Sequence, residues 1–439
     1  MVNVAVISLG CDKNRIDTEH MLYRIVQAGY GISDVNEADV IIVNTCAFIE
    51  SARQESIDVI LSCAELKKSA KVKAIIVTGC LPQKYMGELT EELPEVDAFL
   101  GAFEYDKIVG VISNAVDGQK DVAACGDGYE FRAAENCGRL LTTYPHVAFV
   151  KVAEGCDNHC TFCAIPSIRG KYRSRTVADI VGEAAGLVKD GVKEIILVAQ
   201  DVTRFGEDRG ENELMQLLDG LENLPLYTIR LLYCYPERVT DDLIERIASS
   251  DKIAKYIDIP LQHYSNRILK LMNRRTDGES IERLINKLHN NGIAVRTTFM
   301  VGFPSETDDD FNELVSFVER AKIEYAGVFA YSTEDGTAAA KLPGKVTKKV
   351  MRERVKALGK ACAACTRAFN ASLVGNSVDV IYEDVDFDKN MFVGRARFQA
   401  PDVDGRVYFK AKTAVDVGSV YNVKITKSDD YDLYGEVTE

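Results

Sequence analysis

Cys156, Cys160 and Cys163 stand as Cys-x3-Cys-x2-Cys in EGCDNHCTFCAIP, directly after a strand-like run. Three thiolates on one loop leave one corner of a cubane iron-sulfur cluster without a protein ligand, and a small molecule can coordinate that open iron. The competing reading of the same residues is a three-thiolate zinc site completed by His159. Phe162 precedes the last cysteine as a flat apolar cover. A second set is dispersed: Cys11 in SLGC, Cys46 in NTC and Cys80 in TGC each follow a short β-rich run. The carboxyl ends of the strands in an open parallel sheet form one crevice, so cysteines at three such exits converge although they are far apart in sequence. That convergence predicts a second three-cysteine cluster; three unrelated core thiols are the alternative.

The remaining candidates carry less. Cys362 and Cys365 are i, i+3 on an apolar helical face, which is the spacing of core packing. Cys63, Cys125, Cys137 and Cys234 are scattered and are assigned no chemistry. His263 ends the strand-like DIPLQH and has either a pocket or a structural role, while Gln200, Asp201 and Arg296 sit at or near strand ends and are candidates for contact with a cofactor. Gly302 and Pro304 in VGFP read as turn residues.

The elements that must position these residues alternate in a βα rhythm. Runs at 4–9, 40–44, 74–78 and 97–100 have strand length and composition, and they are separated by helical spacing such as Met21, Leu22, Ile25 and Val26. This predicts an open parallel α/β sheet with a helix over 105–115 and an irregular linker between 117 and 139. Strand candidates at 148–152, 194–199, 227–233, 256–259, 295–300 and 327–330 follow, which suit a partial (β/α) barrel better than a closed eightfold one. One long helix spans 347–373 as a spacer. Five short strands at 377–382, 392–398, 407–412, 420–426 and 433–437 then predict a small antiparallel β-barrel. The domain expectation is 1–137, 138–345, a linker helix 346–374, and 375–439.

Composition narrows the class. Length 439 is long enough for about three domains, and 46% hydrophobic with 27% charged residues is ordinary for folded globular protein. The net charge of −14 repels phosphate overall, so nucleic-acid binding would need a local basic patch. No apolar run approaches a membrane span, and the start lacks a basic leader, so a cytoplasmic protein without membrane association is expected. Twelve cysteines are too sparse for a disulfide scaffold and would stay thiols there.

The Cys-x3-Cys-x2-Cys with its aromatic resembles the radical S-adenosylmethionine superfamily, and the three upstream cysteines with a terminal β domain narrow this to the methylthiotransferases. SLGCDKNRIDTE, VAEGCDNHCTFCAIPSIRG, DIPLQH, RTTFMVGFPSET, GVFAYSTEDGTAA and YDLYGEV resemble the RimO type, over nearly the whole chain. Asp12 departs from the family, which usually has Pro there; Lys13, Asn14 and IPSIRG favour the protein-modifying branch over the tRNA-modifying one.

The resemblance implies a radical methylthiotransferase that converts C–H to C–SCH3 at the β-carbon of an aspartate in ribosomal protein S-twelve, free or in the small ribosomal subunit. Two S-adenosylmethionine molecules per turnover are implied, one cleaved to a 5′-deoxyadenosyl radical and one giving its methyl. Two 4Fe-4S clusters are implied, one on Cys11, Cys46 and Cys80 and one on Cys156, Cys160 and Cys163, with Phe162, Gln200, Asp201 and Arg296 as candidates for the S-adenosylmethionine pocket. An electron donor such as flavodoxin or ferredoxin and a sulfur donor complete the expectation, and the terminal barrel resembles the TRAM module. Two alternatives stand beside it: the same chemistry on a tRNA adenosine, and a non-catalytic iron-sulfur or zinc protein that binds RNA. From 371 to 439 thirteen acidic residues oppose eight basic ones, a balance of −5 that suits a basic protein partner better than tRNA.

Overall fold

The computed structural model of the protein describes residues 2–69, 72–122 and 138–438. Strands β1 (Asn3–Ser8), β2 (Gly31–Ile32), β3 (Val40–Thr45), β4 (Ala74–Gly79), β5 (Ala98–Gly101) and β6 (Asp121–Val122) form one parallel sheet in the order β2-β1-β3-β4-β5-β6. Alternation along the strands splits their side chains between two apolar layers. Val40, Ile42 and Ile76 pack with Met21 and Ile25 of α1 (Asp12–Gln27) and Ile108 of α4 (Ile108–Val116). Ile41, Val43 and Val77 pack with Ile60 of α2 (Glu50–Lys68) and Leu89 of α3 (Cys80–Glu92). Both faces are therefore covered, which is why β3 and β4 read as unbroken apolar runs. The two-residue strands β2 and β6 are too short to have been anticipated. Residues 123–137 lie outside the described residues, and with them Cys125, Cys137, most of the expected linker and the expected boundary at 137.

The second unit begins with β7 (Val147–Lys151), the short antiparallel pair β8 (Ala153–Glu154) and β9 (Arg173–Ser174), and between them α5 (Ile165–Arg169). Then come α6 (Val177–Lys189), β10 (Glu194–Val198), α7 (Leu214–Glu222), β11 (Thr228–Leu231), α8 (Asp241–Ser249), β12 (Tyr256–Gln262), α9 (Asn266–Leu271), α10 (Gly278–Asn290), β13 (Ala294–Val301), α11 (Asp308–Ala321) and β14 (Tyr325–Ala330). The parallel sets β7-β10-β11 and β12-β13-β14 meet at the single bridge Ile229–Ile253. No pairing joins β7 to β14 among the described residues, so the barrel is partial, as the spacing of six strands predicts.

Helix α12 (Lys348–Ser372) lies along β14 and α11 and leads to a closed five-stranded barrel. Its strands are β15 (Ser377–Asp386), β16 (Met391–Ala396), β17 (Val407–Lys410), β18 (Val420–Ser428) and β19 (Leu433–Val437). All neighbours are antiparallel except β17 and β19, which run parallel. Phe398 and Ala400 from this barrel enter one apolar cluster with Val147, Tyr256, Ala294 and Tyr325, the first residues of β7, β12, β13 and β14. Ion pairs fix the junction: Arg395 to Glu194 at 2.7 Å, and Arg296 to Asp404 at 3.3 Å. The small barrel thus closes the amino end of the partial barrel and leaves the carboxyl end, with its cysteines, open to the first domain. Among the described residues no helix is long and apolar enough to cross a membrane.

Candidate active site

Because β1, β3 and β4 are neighbours in the sheet, their exits lie side by side and bring Cys11, Cys46 and Cys80 together. Asn14 ties the exits by donating from Nδ2 to Leu9 O at 3.1 Å and Thr45 O at 2.8 Å, and Thr45 Oγ1 donates to Thr78 O at 2.6 Å. Gly10 has φ +95°, and a Cβ there would lie 2.7 Å from Cys46 Cβ, so the β1 exit passes Cys46 only without a side chain. Burial pushes the Cys46 thiol up to about 12, with Cys80 and Cys11 adding to the rise.

The second triad sits on the loop between β8 and α5. Every sulfur there faces a donor: Asn158 N–H lies 3.5 Å from Cys156 Sγ, Ile165 N–H 3.4 Å from Cys163 Sγ, and Arg274 Nη1 3.7 Å from Cys160 Sγ. The Tyr235 hydroxyl also lies 3.6 Å from Cys160 Sγ, and its ring stacks 4.2 Å from the Arg274 guanidinium. Burial pushes Cys156 up to about 11 and Cys163 up to about 12, each raised further by Cys160. Donors aimed at buried sulfurs favour the thiolates that iron requires.

All six cysteines line a single cavity of about 990 Å³ between the first domain and the partial barrel. Of the residues singled out in sequence, Phe162, Gln200 and Arg296 line it. Gln200 Nε2 donates to Glu154 at 2.8 Å, while its Oε1 is buried without a partner among the described residues, which leaves an acceptor for a bound ligand. Arg296 is largely committed, to Asp258 at 3.3 Å and to Asp404. Asp201 does not line the cavity: it is buried, accepting from Asn158 Nδ2 at 3.0 Å and Thr203 Oγ1 at 2.5 Å, and so it braces the cysteine loop from behind. Nor does His263, whose Nδ1 accepts from Ser265 N–H at 3.0 Å; burial drives its pKa down to about 3 and keeps it neutral. Cys362 is buried in the barrel's outer core and Cys365 donates to Val318 O at 3.5 Å, as their helical spacing predicts.

His159 is exposed and stands apart from the cavity lining, which removes the fourth ligand that the zinc reading needs. Among the described residues no three His, Cys, Asp or Glu side chains are gathered so as to hold a metal ion. Zinc draws its ligands around one point, whereas a cubane takes each thiolate at a different iron. The three thiols on the barrel loop are the donor type that an iron-sulfur cluster takes. Sequence reasoning missed Lys13, Arg169, Tyr233, Tyr235 and Arg274, which also line the cavity. For Arg169 the available signal was its place in the SIRG segment just after the triad. A second groove of about 740 Å³ shares Phe48, Phe162, Gln262 and Thr298 with the cavity and opens past Phe329.

Comparison with known proteins agrees with this layout. Residues 3–101 match the uncharacterized protein family UPF0004, residues 150–318 the radical SAM superfamily, and residues 374–438 the TRAM domain. The chain is 45% identical over 442 residues to the ribosomal protein uS12 methylthiotransferase RimO of Citrifermentans bemidjiense, covering 99% of this chain and 98% of that protein. It is 44% identical over 446 residues to the RimO of Desulforamulus reducens, with both chains fully covered. Among solved structures, the radical S-adenosylmethionine methyltransferase TsrM from Kitasatospora setae, with cobalamin and a [4Fe-4S] cluster bound, superimposes with a TM-score of 0.57 at 13% identity. The match covers 77% of this chain and 74% of that one, a likeness of fold.

Proposed function

We propose, from the premise that this chain belongs to the radical S-adenosylmethionine methylthiotransferases of the RimO type, that it installs a methylthio group on the β-carbon of an aspartate in ribosomal protein uS12. The supporting observation is that two separate thiol triads line one cavity. In this reading Cys156, Cys160 and Cys163 hold the cluster that binds S-adenosylmethionine, and Cys11, Cys46 and Cys80 hold a second. When bound, the two groups supply the electron that cleaves one S-adenosylmethionine to methionine and a hydrogen-abstracting 5′-deoxyadenosyl radical, and a site for the sulfur that a second S-adenosylmethionine methylates.

The chain's own residues do the positioning. The Asn158 and Ile165 amides, Arg274 and Tyr235 spread the charge on the barrel thiolates. Gln200 Oε1 accepts from the ligand's amine or hydroxyls, and Phe162 covers the cysteine loop against water. A C–H bond at the β-carbon of a carboxylate side chain is too weakly acidic for a side-chain general base to deprotonate readily, which is why hydrogen-atom abstraction suits this substrate. The domains proposed at 1–137, 138–345 and 375–439 divide the work into sulfur transfer, radical generation and substrate holding. An external electron donor of the flavodoxin or ferredoxin type, a sulfur donor and a cytoplasmic setting complete the proposal.

Anaerobically reconstituted protein should carry about eight irons as two 4Fe-4S clusters. Replacing Cys156, Cys160 and Cys163 together by Ala should leave about half. Mass spectrometry of ribosomal proteins and tRNA from cells with and without the gene should place the methylthio mark on uS12. A mark on a tRNA adenosine instead, or stoichiometric zinc in place of iron, overturns the reading.

The terminal barrel offers a second check. Glu383 and Asp404 are consumed in docking the barrel, whereas Asp384 and Asp388 are exposed, with Asp384 also accepting from the Tyr144 hydroxyl at 3.3 Å. Reversing both to Lys in the full chain should slow association with uS12 roughly threefold or more at low salt, and the difference should shrink as salt rises. Stopped-flow mixing at two ionic strengths measures it; equal rates would assign those acids to solubility alone.

A further inference from the structure

We propose that Arg169 sets the reduction potential of the iron-sulfur group on Cys11, Cys46 and Cys80, by giving a charged hydrogen bond to the Cys80 sulfur. The proposal rests on the reading that this triad holds a cluster, and it assigns a role to a residue of the other domain. Arg169 ends α5, on the segment that follows Cys163 directly. Its side chain is 2% exposed. Nη2 lies 3.3 Å from Cys80 Sγ and 2.7 Å from Asn14 Oδ1, while Nη1 lies 3.1 Å from Glu154 Oε2 and 3.3 Å from Asp17 Oδ2.

Guanidinium–carboxylate pairs are frequently two-pronged on one carboxylate. Here the fork is split: one arm faces the carboxylates and the other turns to a sulfur and an amide oxygen. Lys151 Nζ occupies the same carboxylates, at 2.5 Å from Asp17 and 3.0 Å from Glu154. Arg169 and Lys151 together balance Asp17 and Glu154, and Arg169 also brings its charge to the Cys80 sulfur at 3.3 Å. A cation close to a buried sulfur stabilises the more negative, reduced state of a cluster, and hydrogen bonds to the sulfurs act in the same direction. The other triad has a separate donor in Arg274 at Cys160, so each potential is adjustable independently. Because Arg169 arrives from the second domain, the first domain's group has its working potential only when the two are docked.

The experiment uses the full chain with Cys156, Cys160 and Cys163 replaced by Ala, so that only the first triad is loaded, and an anaerobic redox titration followed by electron paramagnetic resonance. Arg169→Gln should lower the midpoint so that the one-electron reduction equilibrium falls tenfold or more, a 59 mV shift at least. Arg169→Lys, which keeps the charge and is the safer fold, should fall by less. Asp17→Asn, in the same network but without contact to Cys80, should leave the midpoint unchanged or raise it. In the reciprocal background, with Cys11, Cys46 and Cys80 replaced, Arg169→Gln should not move the remaining cluster. Iron retained with midpoints of the Gln and Lys variants within threefold of the parent, whatever happens to thermal stability, makes Arg169 an interface ion pair and overturns the proposal. A parent that takes up no iron at all overturns the cluster assignment beneath it, and the proposal with it.

Discussion

Replacing Cys156 by Ala should abolish formation of 5′-deoxyadenosine, whereas replacing Cys46 by Ala should spare most of that cleavage and stop methylthio transfer. The separation follows from the way each triad is built. Cys156 shares its loop with Cys160 and Cys163 and its raised pKa with Cys163, so in the proposed reading loss of one sulfur would remove a ligand from the group that delivers the electron. Cys46 is coupled instead to Cys80 and Cys11. Supporting residues around a metal already contribute about ten- to a hundredfold, and a lost ligand should exceed this, so the Cys156 variant should fall more than about a hundredfold in cleavage. Chromatography of 5′-deoxyadenosine and mass analysis of the uS12 peptide read the two activities from one reaction. Full product from the Cys46 variant would make the first-domain triad structural.

Gly155→Ala should remove about half the bound iron while leaving the rest of the fold intact. Gly155 has φ +79°, a region costing an L-residue about 1–2 kcal/mol, and an added Cβ would lie 2.0 Å from Lys171 O and 2.7 Å from Gly170 O. Those are backbone atoms and cannot swing aside. Cys156 N–H donates to Gly170 O at 3.1 Å, so any shift that relieves the clash drags the first ligand of the barrel triad. Gly182 in α6 is the contrast: nothing lies within 4 Å of its added Cβ, and Gly182→Ala should gain about 0.5–1 kcal/mol with full iron. Iron analysis and circular dichroism on both variants decide the matter; unchanged iron in the Gly155 variant would mean that the loop tolerates a different path.

The strands and the six cysteines were legible because both depend on local pattern. Apolar runs buried on two faces announce parallel strands, and a cysteine after such a run must stand at the sheet's carboxyl edge. Strand alternation explains what was not legible. Gln200 and Asp201 are adjacent just beyond β10, and only Gln200 reaches the cavity while Asp201 turns to Asn158 behind the cysteine loop. Position near a strand end could not choose between them. Arg274 was invisible for another reason, and for Arg169 only its place after the triad was a signal: a guanidinium acquires its partner from tertiary packing, and nothing in sequence spacing distinguishes one that meets a sulfur from one that meets a surface carboxylate.

The small barrel is a stopper in the floor of the catalytic domain, and this bears on how these chains can be recombined. Phe398 and Ala400 fill the amino end of the partial barrel, while Arg395 reaches Glu194 and Asp404 reaches Arg296, a residue that also lines the cavity. A chimera that exchanges this module between relatives swaps one wall of the catalytic interior with it, and leaves buried charges unmatched unless Glu194 and Arg296 are exchanged to suit. Shuffling at α12 alone should therefore give insoluble or iron-poor protein, and a transplant of substrate preference has to carry the floor as well as the module.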